Sequence, residues 1–175
     1  VITDNVGSAA SGGGVALFAA GYPVVTSNVI ARNSTDGGAG CGWGGGVAIA
    51  NFVEAKIVNN LIVHNSPCYG GAFYWYGSSG NTLLVNNTIA DNETRNLQCG
   101  RRCLVQQNLI TTSENGQGAL ASAGSMVLGN VVAANTSYGL SCLSGPCSFG
   151  ANILVGNNNG GPHVSGSFTE VSPNA

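Results

Sequence analysis

Charge is what this 175-residue chain has least of: Asp, Glu, Lys and Arg together make up 7% of it, and Lys56 is the single lysine. Helices need Lys, Glu, Leu and Gln on their faces, so a helical protein is excluded on supply alone. A formal net charge of −2 gives no basic footprint for nucleic acid and no attraction to an anionic membrane. No apolar run reaches the roughly 18 residues that a membrane-spanning helix requires. Seven acidic residues in all are a thin stock for a Ca²⁺ site or for a glycosidase acid pair. There is no G-x-S-x-G turn and no Ser/His/Asp arrangement, and no cofactor is implied.

What the chain does have is glycine, 28 residues of it, with abundant Asn, Ser, Val and Ala. Short apolar, β-branched runs between Gly- and Asn-rich turns predict an all-β protein. The six cysteines are even in number: Cys99 and Cys103 bracket CGRRC, Cys142 and Cys147 bracket CLSGPC, and Cys41 and Cys68 each precede a glycine cluster. They read as three disulfides formed in an oxidising, extracellular setting, with reduced buried thiols as the alternative. A zinc site is disfavoured because His64 and His163 are not spaced with the cysteines as ligands, so no metal is expected. Sequons at Asn33, Asn86, Asn92 and Asn135 are candidate glycosylation sites, of a kind that Asn- and Ser-rich chains also generate by chance.

The chain repeats itself. SNVIARN, NNLIVHN, NNTIADN, QNLITTS, GNVVAAN and ANILVGN align on their first Asn, which falls at Asn28, Asn60, Asn87, Asn108, Asn130 and Asn152. The successive steps are 32, 27, 21, 22 and 22 residues. Three residues before each Asn stands an apolar side chain (Val25, Ile57, Leu84, Val105, Val127, Phe149), and two residues after it stands another (Ile30, Ile62, Ile89, Ile110, Val132, Leu154). Upstream comes glycine followed by an apolar run, as in GGGVALFA and GGGVAIAN. Each unit reads as three short strands with an Asn corner, one coil of a parallel β-solenoid. Asn suits such a corner because it tolerates left-handed backbone geometry and can bond to the Asn of the next coil.

The Asn ladder, the GG-apolar strand and the N-x-I-x-x-N phrase resemble the right-handed parallel β-helix of the pectate-lyase-like superfamily. More narrowly, they resemble the repeats of bacterial surface and autotransporter-like β-helix proteins. The resemblance covers essentially the whole chain and implies a single β-helix domain over residues 1–175, of about seven three-stranded coils with no end caps. It says little of function, because the same solenoid carries lyases, hydrolases, adhesins and spacers. The longer early steps place STDGGAGCGW and NSPCYGG in one corner of adjacent coils, where a Cys41–Cys68 bridge would pin them together. Cys99–Cys103 and Cys142–Cys147 would close corner loops within a coil.

Two sets of residues are candidates for sugar or lateral protein contact. Asp4, Arg32, His64 and Asp91 share one column, one residue before the second Asn of the phrase, and read either as a sugar-binding strip or as a solvated ion-pair row. In FYWY, strand alternation with Ala72 aligned on Val15 and Val47 sends Phe73 and Trp75 outward beside Phe18, unless a loop folds over them.

The ends extend the pattern. Asn174 continues the ladder, Val171 stands three residues before it, and VITDN (Val1, Ile2, Asn5) supplies the strand that would follow. These residues are the candidate subunit interface of a non-catalytic, extracellular filament, in which Val1–Asn5 of one copy completes the coil begun by another. Seven coils would give a subunit rise of about 34 Å. The alternatives are a carbohydrate-binding or polysaccharide-degrading β-helix, and an excised piece of a larger adhesin. The expected partners are therefore other copies of the chain, with carbohydrate second, and neither nucleic acid nor membrane insertion.

Overall fold

The computed structural model describes residues 1–7, 11–18, 21–35, 41–51, 54–76 and 81–172. The chain is an all-β parallel solenoid. One face is a seven-stranded sheet of β1 (Ile2–Thr3), β4 (Val29–Ala31), β7 (Leu61–Val63), β10 (Thr88–Ala90), β13 (Leu109–Thr111), β16 (Val131–Ala133) and β18 (Ile153–Val155). A second column stacks β2 (Val15–Leu17), β5 (Val47–Ala50), β8 (Gly71–Tyr76), β11 (Arg95–Gln98) and β14 (Ala119–Ala121). A third stacks β3 (Val24–Thr26), β6 (Lys56–Val58), β9 (Leu83–Val85), β12 (Leu104–Gln106) and β15 (Met126–Leu128).

Five turns are thus built from three separate strands. In the next turn the second and third strands fuse into the long β17 (Leu140–Gly150), which joins both columns, and β19 (Val164–Ser172) pairs along it. The three-stranded coil expected throughout therefore gives way to a two-stranded one near the C-terminal end.

The repeat columns are the core. Val25, Ile57, Leu84, Val105, Val127 and Phe149 pair in register, as do Ile30, Ile62, Ile89, Ile110, Val132 and Leu154. Inside the stack these side chains are buried, each contributing about 1.5–3 kcal/mol of apolar transfer.

The corners are hydrogen-bonded by asparagine. Asn60 is typical: its backbone N–H donates to Asn87 Oδ1 at 3.0 Å, and its Nδ2 donates to Val25 O, Val58 O and Asn87 Oδ1. The same pattern links Asn28 through Asn152. Asn174, the predicted continuation, lies outside the described residues.

A second ladder, formed by the last Asn of the phrase, runs along the other edge of the seven-stranded sheet through Asn5, Asn33, Asn65 and Asn92, and then Asn135 and Asn157. The left-handed conformation does not fall on the ladder asparagines themselves. It falls on the residue before each: Ser27, Asn59, Asn86, Gln107, Gly129 and Ala151 at one corner (φ 53° to 63°), and Asp4, Arg32, His64, Asp91, Thr112, Ala134 and Gly156 at the other (φ 50° to 62°). That residue turns the chain, and the Asn behind it ties the turn to the next coil.

The glycines of the GG-apolar motif are explained by the same corner. A Cβ on Gly14 would stand 2.9 Å from Asn33 Nδ2 and 3.0 Å from an Ile30 methyl, and one on Gly118 would stand 2.7 Å from Asn135 Nδ2. The strand passes too close over the ladder for any side chain there.

The second ladder has one interruption, at Ser113, and Asn96 fills it. Asn96 occupies the strand position that is glycine at Gly46 and Gly118, flanked by the pairs Arg95↔Gly71 and Leu97↔Phe73. Its Oδ1 accepts from Asn92 Nδ2 at 2.8 Å, while its Nδ2 donates to Thr111 O at 2.7 Å and to Asn135 Oδ1 at 3.0 Å. A ladder Asn at position 113 would use those partners, so the rung is supplied from the neighbouring strand.

Candidate functional site

The disulfides are Cys41–Cys68, Cys99–Cys103 and Cys142–Cys147. The first sets up the most distinctive surface of the molecule. Cys41 and Cys68 belong to loops of adjacent coils, and the buried Thr35 hydroxyl ties both, donating to Gly42 O (3.0 Å) and accepting from Cys68 N–H (3.2 Å). The backbone then runs into a parallel bridge between Trp43 and Tyr69, with Trp43 O accepting from Gly12 N–H at 2.8 Å. So anchored, the Trp43 indole lies over the outer face of β8.

There it meets Tyr74 and Tyr76. Its ring centroid is 5.4 Å from that of Tyr74 and 6.0 Å from that of Tyr76, and the two tyrosine rings are nearly parallel (4°) at 6.4 Å. Trp43 and Tyr76 remain 41% and 64% exposed, and burial pushes the Tyr74 phenol above its usual pKa. The platform opens on one side into a small cavity of about 70 Å³ bounded by Phe18, Ala48 and Ala50. On the other it opens into a groove of about 230 Å³ that crosses later coils past Gln98, Arg101, Ser122 and Leu143. Trp75, whose Nε1 has no hydrogen-bond partner among the described residues, also lines this groove. Among the described residues, neither lining contains an Asp or Glu.

This corrects the expected register of FYWY. Phe73, not Ala72, pairs with Val47, so Phe73 and Trp75 (0% and 1% exposed) fill the core and the tyrosines face outward. Inside the stack Phe73 lies between Val47 and Leu97, and the Trp75 ring fits because Gly100 beside it has no side chain: a Cβ there would stand 2.8 Å from the ring. Tyr74 and Tyr76 are the outward-facing residues that sequence reasoning missed. The exposure of Phe18 agrees with expectation.

Asp4, Arg32, His64 and Asp91 do form one column, but at a left-handed corner rather than on a strand, and away from the aromatic platform. Arg32 Nε and Nη2 each donate to Asp4 at 2.8 Å, and this fork holds the Asp4 carboxyl below the usual carboxylate range. A carboxyl whose folded pKa is lowered adds stability above its unfolded pKa and loses it as pH falls through the folded one. Both side chains are well exposed, so the contribution is small. Denaturation midpoints followed against pH should show Asp4→Asn lowering the neutral plateau slightly and flattening the acid limb by the same small amount, with no difference left at the acid end. Asp91 N–H donates to Thr112 Oγ1.

Of the four sequons, Asn33, Asn92 and Asn135 are buried ladder residues and are no longer candidates for modification of the folded chain; Asn86 is exposed. Val171 does not stack on Phe149. Phe149 pairs with Glu170 and Gly150 with Ser172, so the irregularity between them leaves Val171 51% exposed, while Phe168 stacks on Phe149 at 5.2 Å.

Among the described residues no group of three or more His, Cys, Asp or Glu could hold a metal ion, and no helix is long and apolar enough to cross a membrane. Fold and surface together define a disulfide-linked parallel β-solenoid with an aromatic platform on one face. Comparison with family models, with characterised proteins and with solved structures gives no match.

Proposed function

We propose that the chain is an extracellular, non-catalytic β-solenoid that binds carbohydrate on the outer face of β5, β8, β11 and β14. The observation that carries this is the platform of Trp43, Tyr74 and Tyr76. The exposed rings of Trp43 and Tyr76, packed against the buried Tyr74, are fixed by strand, disulfide and mutual packing, so little side-chain entropy is lost when a ring-shaped ligand stacks on them. The adjoining groove supplies amide, hydroxyl and guanidinium donors at Gln98, Ser122 and Arg101, which suits the polar edges of sugars. Among the described residues neither lining holds the pair of carboxylates that glycosidic cleavage uses, which favours binding over hydrolysis. The three disulfides support an oxidising destination.

Depletion assays against a panel of insoluble polysaccharides test the reading. Retention should fall severalfold in Trp43→Ala and again in Tyr76→Ala, on the order of 1 kcal/mol per ring. Retention on no polysaccharide, or retention indifferent to both substitutions, would overturn it.

A second reading is head-to-tail stacking. The edges at β1 and β19 carry exposed apolar side chains, Val1 and Val6 on one and Phe168 and Val171 on the other, and parallel strand edges can pair with another copy. Electron microscopy and sedimentation over a concentration series should show fibres. A monomer at every concentration would rule this out.

A further inference from the structure

We infer that Asn86 is the acceptor for an N-linked glycan in the folded protein, and that the sequons at Asn33, Asn92 and Asn135 are incompatible with the fold once modified. The reasoning starts from the amide nitrogen. In transfer from a lipid diphosphate-linked oligosaccharide, the Asn Nδ2 bonds to the first sugar carbon, the bond from that carbon to the diphosphate breaks, and one amide proton leaves to base. The amide keeps one N–H where it had two, and a sugar ring takes the place of the other.

At the three ladder sequons both hydrogens are committed. Asn33 Nδ2 donates to Ile2 O and Asn65 Oδ1, each at 3.1 Å. Asn92 Nδ2 donates to Ile62 O at 3.2 Å and Asn96 Oδ1 at 2.8 Å. Asn135 Nδ2 donates to Ala133 O at 3.0 Å and Asn157 Oδ1 at 2.8 Å. Modification would break a link between coils at each. There is also no room, because the strand passing over Asn33 and Asn135 comes so close to their Nδ2 atoms that Gly14 and Gly118 could not carry even a methyl carbon. A sugar ring is far larger.

Asn86 differs in each respect. It is the left-handed residue of its corner (φ 54°), one position before the ladder Asn87, and this geometry turns its side chain out of the coil. Its backbone N–H is used by Gln106 O at 3.3 Å, so the fold holds the main chain and leaves the amide on the surface. The sequon hydroxyl, Thr88, starts β10 beside the inward Ile89 and points to the outer face of the seven-stranded sheet.

The test is secretion of the chain from a eukaryotic host, with site-resolved glycopeptide mass spectrometry on the secreted, protease-resistant pool and on the retained pool. The expected result is a glycan at Asn86 alone in the secreted pool, with occupied Asn33, Asn92 or Asn135 confined to the retained pool. Thr88→Ala should remove the glycan and preserve secretion, and Asn86→Gln should repeat that result by a second route. Thr94→Ala with Ser137→Ala, which deletes two ladder sequons without touching their asparagines, should raise the secreted fraction. A folded, secreted chain glycosylated at any ladder Asn, or one left bare at Asn86, would overturn the inference.

Discussion

Replacing Asn87 by Ala is expected to lower stability by about 3 kcal/mol or more, read as a shift in the denaturant midpoint at constant slope. Asn87 Oδ1 accepts from both the backbone N–H and the Nδ2 of Asn60, and its own Nδ2 supplies Ile57 O at 2.8 Å. Alanine removes these bonds and the Asn87 Nδ2 donation to Asn108 Oδ1 at 3.0 Å, four in all, at a buried corner. The buried Asn60 N–H then loses its acceptor, a case that costs the full desolvation penalty of the group rather than the modest net value of one bond. Against typical domain stabilities of roughly 5–15 kcal/mol this is a large fraction. Asn86→Gly is the control: one residue away, exposed and left-handed, it should shift stability by less than about 1 kcal/mol. Equal effects at 86 and 87 would show that the ladder does not hold the coils together.

The second large effect belongs to Asn96. Asn96→Gly should cost about 2 kcal/mol, because Asn92 Nδ2, Thr111 O and Asn135 Oδ1 each lose a partner. Ser113→Asn alone should also destabilise, since its amide would compete with Asn96 for the same space. The double variant should recover to within about 1 kcal/mol of the starting protein, because glycine at 96 matches Gly118 and asparagine at 113 completes the ladder. The Ser113 hydroxyl bond to Gly116 O is the part not restored. A double variant as unstable as the sum of the singles would refute the idea that Asn96 stands in for a missing rung.

Much of this architecture was legible in the chain because it is written many times over. The columns at Val25 and Ile30 repeat in every coil, as does the Asn28 ladder, and a repeated signal survives local noise. The disulfides were legible because each pair sits in one corner. Where repetition stops, legibility stops. The loops before β5 and β8 differ in length, so counting back from the ladder does not fix the register of β8, and four consecutive aromatic residues offer no polar alternation to fix it from within. The choice between Ala72 and Phe73 as the partner of Val47 was therefore decided by packing: Phe73 and Trp75 bury more apolar area than Ala72 and Tyr74 could. Val171 was misplaced for a similar reason, because an irregularity in β19 shifts the count just before it. Asn96 was invisible as a ladder residue because it comes from a different strand position than every other rung.

The two ladders also have a direction. In each, the amide N–H groups of one coil point to the carbonyl oxygen of the next coil toward the C-terminus, from Asn28 to Asn60 and onward, and from Asn5 to Asn33 and onward. Side-chain dipoles aligned in this way polarise one another, so an interior link gains strength from the links on both sides of it. The solenoid therefore has an electrical sense along its axis. The penalty for deleting a rung should therefore be greatest where links lie on both sides of it.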